Sequence, residues 1–287
     1  MSTKSVRILA AVVVGLVLLL FVLRSTDDTG PIGTDRLLLP DLAATADDLE
    51  RIRIERGEDA DAITIRRGDS GWTVASRDDY PADIGLLRQL TIALSEARIV
   101  EEKTANPDNY GRLGVDDPAT GGSGVRLSLA KADDDYVVIF GDTAQGDYRF
   151  ARVEGDATSY LVDRNPEIPA AAGDWVDGKL LDIPADRIRS VTITHADGET
   201  ITVDKDNVEQ TDFTVRDVPE GRELSYQSVG NGIGGALGQL ELDDVRAAVD
   251  GAAAATVVFE TWDDATITAA VIRDGEADWV ALTAEPD

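Results

Sequence analysis

The chain has 287 residues, with 27 Lys and Arg against 55 Asp and Glu, one His and no Cys, for a formal charge of −28. Without cysteine there are no disulfides, thiolate-bound zinc, iron–sulfur clusters or thiol nucleophile, and a single His excludes any two-histidine site within one chain. The acidity (isoelectric point near 4.2) argues against nucleic acid as a partner, because phosphate contacts need clustered Lys and Arg. Apolar residues make up 43% of the chain, enough for a core, and the length fits one large domain or two ordinary ones.

From Ile8 through Leu16 and Leu20 to Leu23 the sequence is apolar and uncharged, bracketed by Arg7 and Arg24. A spanning helix usually needs about 17–25 residues. The run is slightly shorter, but long Arg side chains reach the headgroups and extend it. The stretch 1–24 is therefore predicted to be a single transmembrane anchor. Arg24 to Asp28 offers no Ala-x-Ala pattern, so the anchor is expected to stay uncleaved. Lys4 and Arg7 precede the run while Asp27 and Asp28 follow it. That asymmetry puts the N-terminus in the cytoplasm and residues 25–287 outside the inner membrane.

Residues 25–47 carry Gly30, Pro31, Gly33 and Pro40 and suit a tether, with Leu37-Leu38-Leu39 as an apolar staple onto the domain. Period-two alternation then begins, with Ile52 and Ile54, Ile63 and Ile65, and Trp72 and Val74, which predicts a three-strand meander. Pro81 and Asp83 open a helix over about 82–98, whose Leu87, Leu90, Leu94 and Ala97 share one face. A turn-rich loop follows. Strands resume at Val125–Leu129, Tyr136–Phe140, Tyr148/Phe150 and Tyr160/Val162. The same order recurs with Val191/Ile193, Ile201/Val203 and Phe213/Val215, a helix over 225–239, and strands at Val257/Phe259, Ile267/Val271 and Trp279/Ala281. Ala93–Ile99 can also be laid over Ala236–Leu242. The expected class is α+β: the anchor, the tether, a first module at 48–165, a connector at 166–185 and a second module at 186–287. Each module has antiparallel strands and one amphipathic helix.

The sequence offers few chemical motifs. Gly230-Asn231-Gly232-Ile233-Gly234-Gly235 matches GxGxxG, but no buried parallel strand precedes it, so close packing of a helix on a sheet is the expected role. Ser128-Leu129-Ala130-Lys131 matches S-x-x-K but lies in a strand pattern, whereas that chemistry requires a helix. His195 ends a strand and by parity caps the edge of the core. The acids at 133–135 and at Asp204/Asp206 lack the glycine and spacing of a calcium loop and suit solvated turns. Trp72 and Trp279 are expected in the core, and Trp175 in the connector is expected to wedge the modules together. No catalytic residue, cofactor or metal ligand is predicted.

Several stretches in order resemble the membrane-anchored envelope family called domain of unknown function four-three-four-zero. They are Leu49, Ile52 and Ile54; Gly71-Trp72-Thr73-Val74; Tyr80-Pro81-Ala82-Asp83; and Tyr110 to Val115 before Asp117-Pro118. Phe140-Gly141-Asp142, Tyr148 to Arg152, and Asp174-Trp175-Val176-Asp177 on to Ile183 complete the series. The resemblance covers nearly all of residues 48–195. It implies association with gliding-motility-like ABC-2 export systems, alongside a permease, an ATPase and a larger membrane auxiliary protein. An accessory subunit without chemistry of its own is the expectation. The alternative is an extracytoplasmic binding module or hydrolase for an envelope glycan, peptide or lipid, with its cleft near Trp175.

Overall fold

The computed structural model describes residues 36–285 apart from 58–60, 133, 219, 225, 227, 248–250 and 276. The expected anchor residues Arg7, Ile8, Leu16, Leu20, Leu23 and Arg24 lie outside the described residues. Among those described, no helix is long and apolar enough to cross a membrane.

The strands begin with β1 (Arg51–Arg56), β2 (Ile63–Gly68), β3 (Gly71–Val74), β4 (Tyr80–Pro81) and β5 (Ile99–Glu102). Next come β6 (Val125–Ala130), β7 (Asp135–Thr143), β8 (Arg149–Val153), β9 (Ser159–Val162) and β10 (Lys179–Leu181). The last are β11 (Ile188–His195), β12 (Thr200–Asp204), β13 (Thr214–Val215), β14 (Leu240–Glu241), β15 (Ala255–Thr261), β16 (Thr266–Asp274) and β17 (Ala277–Glu285). The α-helices are α1 (Leu42–Thr45), α2 (Ile84–Glu96) and α3 (Val229–Gly234). The chain divides into two compact units, one ending its two segments at Gly71 and Ile168, the other made of Trp72–Ile84 and the chain from Pro169 on.

The strands of unit 1 run β2-β1-β6-β7-β8-β9-β5 within an antiparallel sheet. Its centre follows from alternation. Ile52 and Ile54 are buried while Arg51 and Arg53 point to solvent, and the isoleucines pair with Ile65 and Ile63 on one side and with Leu129 and Leu127 on the other. In β7, Val137 to Phe140 are all buried, as a continuous apolar run in a doubly covered strand requires. Helix α2 buries Leu87, Leu90 and Leu94, the face expected from its spacing. Leu38 and Leu39 are also buried, with Leu38 N–H donating to Ala97 O at 2.8 Å.

Unit 2 holds a six-stranded antiparallel sheet, β13-β12-β11-β15-β16-β17, and the short pair β10-β14. Its core gathers Ile188, Val191, Val203, Phe213, Leu237, Phe259, Ile267 and Ala269. Here Val191 pairs with Val203 and Phe259, and Ile193 with Ile201 and Val257. The connection order β2-β1-β6-β7-β8 in unit 1 thus recurs as β12-β11-β15-β16-β17 in unit 2, with an isoleucine/valine strand at the centre of each.

The α+β class with an N-terminal transmembrane helix is corrected. The described residues are dominated by strand, and the second expected helix, 225–239, shrinks to the six residues of α3. Its apolar residues have helical spacing, but Gly230, Gly232, Gly234, Gly235 and Gly238 interrupt them. Glycine in a helix interior costs roughly 1 kcal/mol relative to alanine. Four short strands also escaped the alternation pattern. β5 covers residues to which no element was assigned, β4 contains the proline read as a helix start, and β10 and β14 are two or three residues long.

Candidate functional site

A concavity on unit 1 is a cleft of about 740 Å³ lined by Thr45, Asp47, Asp48, Glu50, Arg67, Asp69, Lys131 and Asp134 among others. Three pieces of chain make it: α1 and the turn after it, the end of β2, and the β6–β7 turn. Backbone bonds fix them, since Glu50 N–H donates to Ala130 O at 2.9 Å and Arg67 N–H to Glu50 O at 2.8 Å. Arg67 Nη1 donates to Asp47 O at 2.6 Å. Thr45 Oγ1 and Tyr136 Oη share a hydrogen bond of 2.9 Å. The Lys131 ammonium sits 4.8 Å from the Tyr136 ring centre and 3.7 Å from Asp134. Burial alone would lower its pKa, but the Tyr136 hydroxyl and Asp134 outweigh this and hold it raised. Asp47, Asp48, Glu50 and Asp69 stand at the solvent without an ion partner among the described residues. The cleft therefore attracts cations, through solvated carboxylates whose individual effect is small and salt-screened.

A second feature is the open edge of unit 2. All nine residues of β17 pair with β16, and among the described residues no strand follows β17 in the sheet order. Trp279 to Ala284 forms an uncharged run without proline, and Val280 is 55% exposed. Long edges of this kind are usually blunted by charge, proline, a bulge or cover. Two other sheet edges are managed in those ways. β13 is only two residues long, and β5 is flanked by Arg36–Leu38, where Ile99 N–H donates to Arg36 O at 2.8 Å.

The motifs singled out in the sequence separate here. Gly230 and Gly234 of the GxGxxG string pack on Phe213, so that a Cβ at Gly234 would fall 2.2 Å from its ring. The string allows close approach, and the sheet beside it is antiparallel, so it has no dinucleotide context. Ser128 lies in strand β6, away from any helix turn that would bring Lys131 to its hydroxyl. His195 is exposed at the end of β11 and not on the core face, because the strand leaves the core at Thr194. Asp204 and Asp206 both bind one guanidinium, Arg216, at 2.6 and 2.5 Å. Among the described residues no group of three or more His, Asp or Glu is arranged to hold a metal ion. Trp72 and Trp279 are half-buried, while Trp175 is fully buried within unit 2. The Trp175 indole N–H donates to Pro169 O at 3.2 Å, and its carbonyl accepts from Asp83 N–H at 2.8 Å.

Two of the family-like stretches meet. Gly141 lies against Leu113 and Gly114 so closely that a Cβ there would be 2.0 Å from Leu113 O, and Asp142 N–H donates to the same carbonyl at 2.9 Å. Arg152 Nε donates to Val115 O at 3.2 Å, with its guanidinium 4.6 Å from the Tyr110 ring centre. These residues lock a loop to a strand.

Both units are built on antiparallel sheets. The model of the family described as Domain of unknown function (DUF4340) matches residues 72–257, and the chain belongs to that family. No curated protein and no solved structure matches the chain.

Proposed function

We propose that this chain is a non-enzymatic accessory or scaffold subunit of an ABC-2-type export system at the cytoplasmic membrane, with residues 25–287 on the outer side. The observation that carries the reading is the open edge at β17. A nine-residue edge with an uncharged centre is a liability in a free protein and a docking strip in an assembly. A partner strand added there gains main-chain hydrogen bonds without any pocket. The test is affinity purification of the full-length chain from native membranes in mild detergent, followed by mass spectrometry. A permease and its ATPase should appear in near-stoichiometric amounts with wild type and be depleted by Val280→Lys, which places a charge on the strip. Recovery of the chain alone rejects the reading.

The acidic cleft favours a second reading, an envelope-ligand binding module. Glycoside hydrolysis needs one carboxyl kept protonated in apolar surroundings. The solvent-exposed carboxylates of the cleft suit binding of a cationic group instead. Titration of the full-length chain with basic peptides and envelope glycans checks this. Saturable binding reduced by Asp69→Asn with Glu50→Gln would support it, and no binding would end it.

A further inference from the structure

Many of the described arginines in this acidic chain sit on carboxylates. Arg77 binds Asp244 through Nε at 2.5 Å and Nη2 at 2.9 Å, and Arg126 reaches Glu55, Asp117 and Glu154. Arg56 at the end of β1 and Arg149 at the start of β8 bond instead to neutral oxygens, as Arg67 and Arg152 also do. Arg56 and Arg149 both reach the short segment 165–168 and find only neutral oxygens there. Arg149 donates from Nε to Gly141 O at 2.9 Å and from Nη1 to Pro166 O at 3.3 Å and Asn165 Oδ1 at 3.4 Å. Arg56 Nη2 donates to Ile168 O, while its Nε is buried without a hydrogen-bond partner. The Arg149 guanidinium also lies 5.2 Å from the Phe140 ring centre.

Carbonyls satisfy donors without cancelling charge. Burial lowers the pKa of both guanidiniums, and for Arg149 the neighbouring Arg56 lowers it further, against an opposing pull from Asp142. Neither Asp142 nor Glu167, which lies between the two carbonyls, forms an ion pair with either arginine. Both guanidiniums reach the same four-residue segment in partly buried surroundings, and Arg56 Nη1 and Arg149 Nη2 make no hydrogen bond there, which leaves a net positive spot. Arginine forks match oxyanions, and hydrogen bonds between charged partners are the strong ones.

We propose that Arg56 and Arg149 form an oxyanion-binding site on unit 1, taking a small free ligand that presents a phosphate or carboxylate group. The chain's charge of −28 repels extended polyanions and anionic membranes, whereas a small anion at the two guanidiniums is screened from more distant acids beyond about 8 Å. The site is independent of the accessory reading and stands or falls separately.

The probe is inorganic phosphate, titrated calorimetrically into the full-length chain in mild detergent at constant ionic strength. Wild type should bind saturably. Arg56→Gln or Arg149→Gln should weaken binding about tenfold or more, the loss expected for a charge-assisted hydrogen bond. Arg164→Gln, which removes a partner of Glu96, should leave affinity unchanged. Because Arg149 also ties down Pro166, a measurement on wild type alone accompanies the variants. Phosphate should protect Arg56 and Arg149, but not Arg53, from phenylglyoxal labelling read by mass spectrometry. Absence of saturable binding, equal affinity in the Gln variants, or protection by phosphatidylglycerol nanodiscs but not by phosphate overturns the proposal.

Discussion

In unit 1 the helix that follows the first strands buries Leu87, Leu90 and Leu94, whereas the helix at the corresponding place in unit 2 buries Gly230 and Gly234. The strands around them have the same connection order and the same apolar pairing. The difference lies in how each helix is held. Leucines attach α2 by filling volume, at about 1.5–3 kcal/mol for each fully buried side chain. Glycines attach α3 by removing volume, so that its backbone rests on Phe213, and that contact replaces the side chains a longer helix would need. One topology thus tolerates a full amphipathic helix or a single glycine-rich turn and a half.

The largest effect expected from this contrast is on α2. Leu94 is fully buried, so Leu94→Ala should destabilise unit 1 by about 2–5 kcal/mol, measured by denaturant unfolding. Next comes Gly234→Ala, whose new methyl would press on the Phe213 ring in the core of unit 2. Overpacking of this kind costs about 1–3 kcal/mol. Smallest of the three is Gly232→Ala, two residues away and of opposite sign. A Cβ there meets nothing within 4 Å, so alanine's helix preference should stabilise unit 2 by about 0.4–1 kcal/mol. If both glycine variants destabilised equally, close approach to Phe213 would not be what holds α3.

Much of the sheet was legible because burial leaves a period-two trace. Ile52/Ile54 and Val191/Ile193 announce central strands, and the spacing of Leu87, Leu90 and Leu94 announces α2. The second helix misled because apolar spacing at Val229, Ile233 and Leu237 was weighed without the glycines between them. β10 and β14 are too short to show a period, and β5 is recruited by partners distant in sequence. The cleft was not legible at all. Its acids come from three separated turns, and in a chain with 55 acids no single one stands out. The Arg56–Arg149 pair was equally hidden, although an arginine beginning a strand just after a glycine turn is a signal that could have been followed.

The finest distinction between the units is in acid. In unit 2, Glu260 is held below the usual carboxylate range by the Ser190 hydroxyl at 2.6 Å and then by Arg189 at 3.1 Å. Burial would raise Asp244, but its two bonds from Arg77 prevail and lower it. Asp263 is lowered by Thr261 and Arg187. Unit 1 shows the same direction at Asp156, mainly through the Tyr160 hydroxyl at 2.6 Å. A carboxylate whose folded pKa lies below its unfolded value stabilises the fold above the unfolded value, near 4. That contribution is lost as pH falls through the folded pKa. With more such groups, unit 2 should lose stability first as pH falls below about 4. All four tryptophans, Trp72, Trp175, Trp262 and Trp279, belong to unit 2, so their emission reports that unit alone. It should change at a higher pH than the far-UV circular dichroism of the whole chain, by a small margin because these groups are partly solvated. Asp244→Asn should reduce the acid sensitivity of the tryptophan signal. Coincident transitions by the two probes, unaltered in Asp244→Asn, would remove the electrostatic distinction between the units.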